Sequence, residues 1–119
     1  MWRLQSEVAA FDAARFQSLG PGYVALSLAG EAGELANQIK KLWRIEPRIG
    51  QPDGYSAVGE TERALIADEV ADVLMLGLVL ANHLGIDVEA ELRRKLEVID
   101  ARLRTGHYGN EARDADEPA

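Results

Sequence analysis

The sequence predicts an all-α fold, a four-helix bundle with its third helix at the centre. Apolar residues recur with helical spacing in four segments separated by Gly- or Pro-containing breaks, and no segment shows the alternation of a strand. A chain of 119 residues is long enough for one hydrophobic core and too short for two. We expect one domain over residues 1–106 and a largely disordered tail over residues 107–119, which has little to bury.

The first helix is predicted over residues 3–17, where Leu4, Val8 and Phe11 form one apolar stripe. A Gly-Pro-Gly run then breaks the chain. Pro21, within this run, suits the first turn of the next helix, because its missing N–H is not needed there.

The second helix is predicted over residues 21–44, and Pro47 follows its end. Gly30 and Gly33 lie inside it, although glycine costs about 1 kcal/mol relative to alanine in a helix. Their presence suggests a close approach by a neighbouring helix or a ligand.

The third helix is predicted to begin near Thr61, as its N-cap, and to end at Gly85. Residues 47–60 before it form a loop whose length is typical of functional or mobile segments. Between Val70 and Ala81 the helix is apolar nearly all the way round, so its neighbours in so short a chain would cover it incompletely. We therefore expect it to meet a second copy of the chain, as a homodimer or a dimer of dimers.

The fourth helix is predicted from Asp87, as its N-cap, to about Arg104. Acidic residues near its start and basic residues near its end suit the helix dipole. Its apolar positions form a single stripe of Val88, Leu92, Leu96, Ile99 and Leu103.

Composition excludes several classes of protein. The chain has no cysteine, which excludes disulfides and thiolate zinc sites. A formal net charge of −7 argues against a nucleic-acid polymer as partner, and no apolar run is long enough to span a membrane. The N-terminal sequence lacks the basic-then-apolar order of a secretory signal, so we expect a cytoplasmic protein.

Two acidic pairs carry the chemistry: Glu31 with Glu34, and Glu69 with Asp72. Each pair is spaced i, i+3 on a predicted helix, so both side chains lie on one side. Asp72 is the only charged residue between Val70 and Ala81, and an unpaired carboxylate in apolar surroundings would protonate or find a cation. Four carboxylates without His or Cys suit Mg²⁺, or Mn²⁺, shared with substrate phosphates, and indicate phosphate-ester or anhydride chemistry.

Basic and polar residues on the second and fourth helices are candidates for substrate contacts. Gln38 and Lys41 continue the face that carries the first acidic pair, and Lys95 and Arg102 lie on the fourth helix. Positioned cations would stabilise charge on a departing pyrophosphate. Each feature also has an ordinary interpretation, because an acidic pair is usually a solvated helix face and a lysine usually a surface residue.

Two stretches resemble the MazG-like branch of the all-α nucleoside triphosphate pyrophosphohydrolases: GEAGELANQIKK from Gly30 and ADEVADVLMLGLVLANHLGIDVEAELRRKLEVIDAR from Ala67. The resemblance implies that ExxE and ExxD motifs bind Mg²⁺ and that a (d)NTP is cleaved between its α and β phosphates. Carried over, the metal ligands are Glu31, Glu34, Glu69 and Asp72. Lys95 and Arg102 match basic positions of the family's C-terminal helix pattern.

The chain departs from this family pattern at three positions. Gly30 stands where many members have an additional Glu, although the branch resembling dCTP pyrophosphatases also has Gly there. That branch tends to carry Trp where this chain has Lys41, which weakens a prediction of cytosine specificity. Ile99 stands where the family often has Asn.

The sequence therefore predicts a Mg²⁺-dependent nucleotide pyrophosphohydrolase that cleans nucleotide pools, with Glu34 or Glu31 orienting the attacking water. A non-catalytic helical module that binds nucleotides or a partner is the alternative. A di-iron bundle would need Glu-x-x-His pairs, and Asn37 and Asp72 stand at the His positions. The MazG-like motifs also argue against a phosphoribosyl-ATP pyrophosphohydrolase.

Overall fold

The computed structural model describes residues 1–15 and 19–106, and these form an all-α fold without strands. The predicted fold class is confirmed. The tail predicted over residues 107–119 and the last part of the first predicted helix lie outside the described residues. The described residues contain four α-helices, α1 (Arg3–Arg15), α2 (Pro21–Ile45), α3 (Glu60–His83) and α4 (Val88–Arg104). None of these helices has the combination of length and apolarity that a membrane crossing requires.

Helix α3 is central because it packs along α2 and also contacts α1. The two long helices are antiparallel: Val24, near the start of α2, shares a small cavity with Leu80, and Leu42, near its end, shares another with Ile66. Among the described residues, the buried apolar side chains are few, namely Val8, Val24, Leu42, Leu78 and Ala81. The antiparallel pair thus has a small core, which fixes the register of α2 against α3.

Gln5, which is fully buried, fixes α1 to the turn between α3 and α4. Its Nε2 donates to the carbonyl of Ile86 at 2.7 Å, and its Oε1 accepts from the backbone N–H of Val88 at 3.0 Å. The side-chain amide of Asn82 donates to the backbone carbonyl of Gln5 at 3.1 Å. Both polar groups of the buried amide are therefore satisfied, which sets the position of α1 on α3.

Helix α4 lies largely apart from the other three. Its predicted N-cap is confirmed, since Asp87 Oδ1 accepts from the backbone N–H of Ala90 at 3.3 Å. Gly85, with φ of 67°, adopts the left-handed conformation that ends α3. Contacts between α4 and the other described helices are sparse, and Leu92 and Leu96 remain 57% and 68% exposed.

Helix α3 begins differently from the prediction. It starts at Glu60 with Gly59 as its N-cap, so the predicted cap at Thr61 is wrong. The backbone N–H of Arg63 donates to the carbonyl of Gly59 at 2.9 Å, which closes the first helical turn without a side-chain cap. Glu60 and Glu62 in this turn suit the positive end of the helix dipole.

The predicted loop contains two short 3₁₀ turns, Pro47–Gly50 and Gly54–Ala57. Gly50 lies against the indole of Trp43, and a Cβ placed there would come within 2.6 Å of the ring. Only glycine allows this approach, so the first turn folds back onto the end of α2. The close approach predicted at Gly30 and Gly33 is not found within the described chain, where no other side chain or helix comes within 4 Å of a Cβ at either position.

Candidate active site

Three carboxylates from two helices meet on one side of the α2–α3 pair. Glu31 of α2 and Glu69 and Asp72 of α3 each place an oxygen within 4.8 Å of the other two. The i, i+3 spacing on α3 stacks two of them, and the antiparallel packing brings the third across. We call Glu31, Glu69 and Asp72 the carboxylate cluster.

The charged form of Glu69 is disfavoured in the cluster. Its Oε2 is buried and has no hydrogen-bond partner among the described residues. Hydrogen bonding with the Glu31 carboxyl raises the pKa of Glu69, and desolvation and the nearby charges of Glu31, Asp72 and Glu34 raise it further. A buried oxygen without a donor beside two further carboxylates fits a divalent cation, because hard oxygen ligands are what Mg²⁺ and Mn²⁺ prefer.

The burial predicted for Asp72 is wrong within this chain, where Asp72 is exposed and Glu69 is half-buried. The prediction rested on the apolar residues that flank Asp72 in the sequence. Helix α4 lies apart, so the side of α3 that carries Asp72 remains open along a cavity. The carboxylate with a raised pKa is Glu69.

Glu34 lies beside the carboxylate cluster rather than in it. Its side chain is exposed, and its charge contributes to the raised pKa of Glu69. The structure therefore brings three of the four predicted ligands within reach of one ion and keeps the fourth close by. Its role as a ligand stays a prediction.

A cavity of about 560 Å³ extends from the carboxylate cluster between α1, α2 and α3. Glu31 and Asp72 stand at one end, and Val24 and Val79 lie further along the two long helices. The cavity lining is mostly apolar, with Ser27 as a further polar group. Such a cavity beside charged groups suits an organic ligand with an anionic part.

Asp12 of α1 also lines this cavity, and sequence reasoning missed it. His83 of α3 places its Nε2 3.0 Å from Asp12 Oδ2. A carboxylate only accepts, so the ring donates. The two residues are 71 positions apart, and no sequence signal short of the helix topology joins them.

Gln38 and Lys41 lie away from the main cavity. They line a smaller one of about 140 Å³ between the end of α2 and the start of α3, together with Glu62 and Ile66. Neither is among the described residues that line the larger cavity. Their predicted contact with substrate stays a prediction.

Lys95 and Arg102 are exposed on α4, seven residues apart and therefore on one side of the helix. Other arginines of α4 are engaged, since Arg93 pairs with Glu89 and Arg94 with Glu91. Within the described part of the chain, Lys95 and Arg102 form no ion pair, and neither lines the cavity. Their charges are available to an anion that approaches α4.

The antiparallel helices and their carboxylate cluster define an all-α domain with a candidate divalent-cation site. The chain belongs to the family of the MazG nucleotide pyrophosphohydrolase domain, whose model matches residues 21–105. The match covers α2, α3, α4 and every predicted site residue. Membership identifies the chain as a nucleotide pyrophosphohydrolase, which is a hydrolase.

Two known proteins are similar to this chain. Gene 37 protein of Mycobacterium phage L5 is 29% identical over 107 residues, which are 84% of this chain and 87% of the phage protein. Human dCTP pyrophosphatase 1 is 32% identical over 78 residues, 66% of this chain and 42% of the human protein. No solved structure gives a significant match.

Proposed function

We propose that this protein hydrolyses (deoxy)nucleoside triphosphates between the α and β phosphates, in a Mg²⁺-dependent reaction that yields the monophosphate and pyrophosphate and cleans the nucleotide pool. The observation that carries the proposal is the buried Oε2 of Glu69, which has no hydrogen-bond partner among the described residues and lies inside a cluster of three carboxylates. The adjoining cavity offers room for the nucleoside. Family membership supports the reaction class.

Glu31, Glu69 and Asp72 are the residues that would hold Mg²⁺, with Mn²⁺ as a substitute. The ion would neutralise phosphate charge and polarise the phosphorus that is attacked. Glu34, beside the cluster and exposed, is suited to accept a proton from the attacking water, and Glu31 is the alternative.

Cationic residues would stabilise the departing pyrophosphate. We assign this role to Lys95 and Arg102, which carry no competing ion pair among the described residues. Lys41 and Gln38 would contact the outer phosphates from the end of α2.

We also propose that the chain works as a homodimer or a dimer of dimers in the cytoplasm. Exposed apolar side chains lie along both α3 and α4, including Leu74 at 58% and Leu96 at 68%. Exposed apolar side chains of this kind support association. A partner placed on it would also supply the cover that α4 lacks within one chain.

Pyrophosphate release tests the function directly. The purified protein is given the four dNTPs, the four NTPs and phosphoribosyl-ATP, with Mg²⁺ or with EDTA, and pyrophosphate is measured. We expect Mg²⁺-dependent release from at least one triphosphate, and loss of at least about 100-fold in kcat/KM for Asp72→Asn.

Asp68→Asn is the matched control, because Asp68 is also an exposed aspartate of α3 but lies outside the carboxylate cluster. It should retain activity. Unchanged activity of Asp72→Asn would refute the metal role. No release from any substrate, with no Mg²⁺-dependent rise in Tm, would instead favour a non-catalytic module.

A further inference from the structure

The shape of the main cavity determines how a nucleotide can lie in it. From Asp72 to Val79 the cavity follows two turns of α3, a length of roughly 10 Å. Phosphates held at the carboxylate cluster would place the sugar and base along the apolar part, beside Val24 and Leu76. The base would therefore be read by polar groups away from the cluster.

Asp12 is the charged group of the cavity lining that does not belong to the carboxylate cluster. Its side chain is only 18% exposed. His83 donates to Oδ2, and no described residue donates to Oδ1. The carboxylate thus retains acceptor capacity in a mostly apolar space, where a hydrogen-bond donor on a ligand would satisfy it.

Nucleobases differ in what they present to such an acceptor. Cytosine and adenine carry an exocyclic amino group that donates, whereas uracil and hypoxanthine carry an oxo group that accepts in the same place. An oxo group facing Asp12 would leave two acceptors without a donor, and a site built to hydrogen-bond a donor discriminates strongly against the analogue that lacks it.

We propose that Asp12, held in place by His83, selects triphosphates whose base carries an exocyclic amino group over the matching oxo base: cytosine over uracil, and adenine over hypoxanthine. This inference rests on the proposed function, and it assigns the choice of base to α1. His83 acts through Asp12 as a positioning residue, since its Nε2 donates to the carboxylate.

Matched substrate pairs test the choice of base. We expect kcat/KM of the wild type to favour dCTP over dUTP, and dATP over dITP, by at least about tenfold. Asp12→Asn should bring both ratios within about threefold of unity, because an amide can donate as well as accept. Equal turnover of dCTP and dUTP by the wild type, or unchanged ratios in Asp12→Asn, would overturn the proposal.

Glu7→Gln is the matched control. Glu7 also lies on α1 but is exposed and paired with Arg3 at 3.3 Å, outside the cavity lining. Its ratios should equal those of the wild type. An equal fall of the substrate ratios in Glu7→Gln and in Asp12→Asn would point to damage to α1 rather than to base selection, and would overturn the proposal.

Variants of His83 separate positioning from stability. His83→Gln retains a donor toward Asp12 and should keep the dCTP preference, whereas His83→Ala should lower it at least about threefold. Far-UV circular dichroism and Tm report whether each variant folds. Equal preference in the two variants would contradict the positioning role.

Binding distinguishes failure of this inference from failure of the proposed function. Titration calorimetry with α,β-imido dCTP and α,β-imido dUTP measures base preference without hydrolysis. If no triphosphate is hydrolysed, the proposed function fails, and the ratio of the two dissociation constants still decides the role of Asp12. Tenfold tighter binding of the dCTP analogue that Asp12→Asn abolishes is the expected result.

Discussion

The α2–α3 pair and helix α4 carry different halves of the proposed site. Packing of α2 on α3 within one chain is sufficient to bring Glu31, Glu69 and Asp72 together. Helix α4 has exposed leucines and cations without ion pairs to other described residues, and it makes sparse contact with the other described helices. We infer that the metal half of the site is built by one chain and that the cationic half depends on association.

The largest effect on activity is expected from the loss of Glu31, which α2 places beside the two carboxylates of α3. Glu31→Gln should lower kcat/KM by at least about 100-fold, because the amide removes one of three charged ligands while α2 stays packed. Pyrophosphate release measures it. Glu97→Gln, an exposed position on α4, is the control and should leave kcat/KM within about twofold. Full activity of Glu31→Gln would place the cation elsewhere.

Separation of the chains should have the next largest effect. Leu96→Glu puts a charge into the exposed stripe of α4 and should yield monomers with activity lowered at least about tenfold. Light scattering after size exclusion measures the mass. Leu26→Glu, at a position of α2 that is 75% exposed and outside the lining of both cavities, is the control. A fully active monomer would show that one chain holds the complete site.

Removal of an α4 cation should lower kcat/KM less than removal of a carboxylate ligand. Lys95→Gln and Arg102→Gln should each lower kcat/KM by about tenfold, because one phosphate contact is lost in each. Arg93→Gln is the matched control, since that guanidinium is already paired with Glu89 at 3.1 Å. Equal losses in all three variants would indicate a general effect of net charge.

Local signals in the sequence predict the helices well. Pro21 begins α2 as expected, and Asp87 caps α4, because each rule concerns residues within one turn. The cap predicted at Thr61 is wrong, because several residues near a helix start can serve as the N-cap. The extended backbone at Gly59 places the cap there. The carboxylate cluster was predictable from two i, i+3 pairs on helices that had to pack.

Burial and long-range pairs were not predictable in this way. The apolar neighbours of Asp72 in sequence suggested a buried charge, whereas the contacts made by α3 leave Asp72 exposed and bury an oxygen of Glu69. Asp12 and His83 come together only through the packing of α1 on α3. Such features depend on which helix faces cover each other, and hydrophobic periodicity alone does not determine that.

The smallest effect is expected on thermal stability, and it tests the metal half of the site without measuring catalysis. The folded-state pKa of Glu69 is raised, so folding favours its protonated form. The stability this gives is full below the ordinary glutamate pKa and is lost as pH rises through the raised value. In EDTA at pH 8, Glu69→Gln should therefore melt a few degrees above the wild type, and the difference should shrink toward pH 4.

Differential scanning fluorimetry between pH 4 and pH 8 measures this difference. Added Mg²⁺ should raise the Tm of the wild type, because the ion binds only the folded cluster, and should raise that of Glu69→Gln less. Glu97→Gln, on α4, should respond as the wild type does. A lower Tm for Glu69→Gln in EDTA would mean that the carboxylate stabilises the packing of α2 on α3 by itself, and the three acids would then need no cation to account for their position.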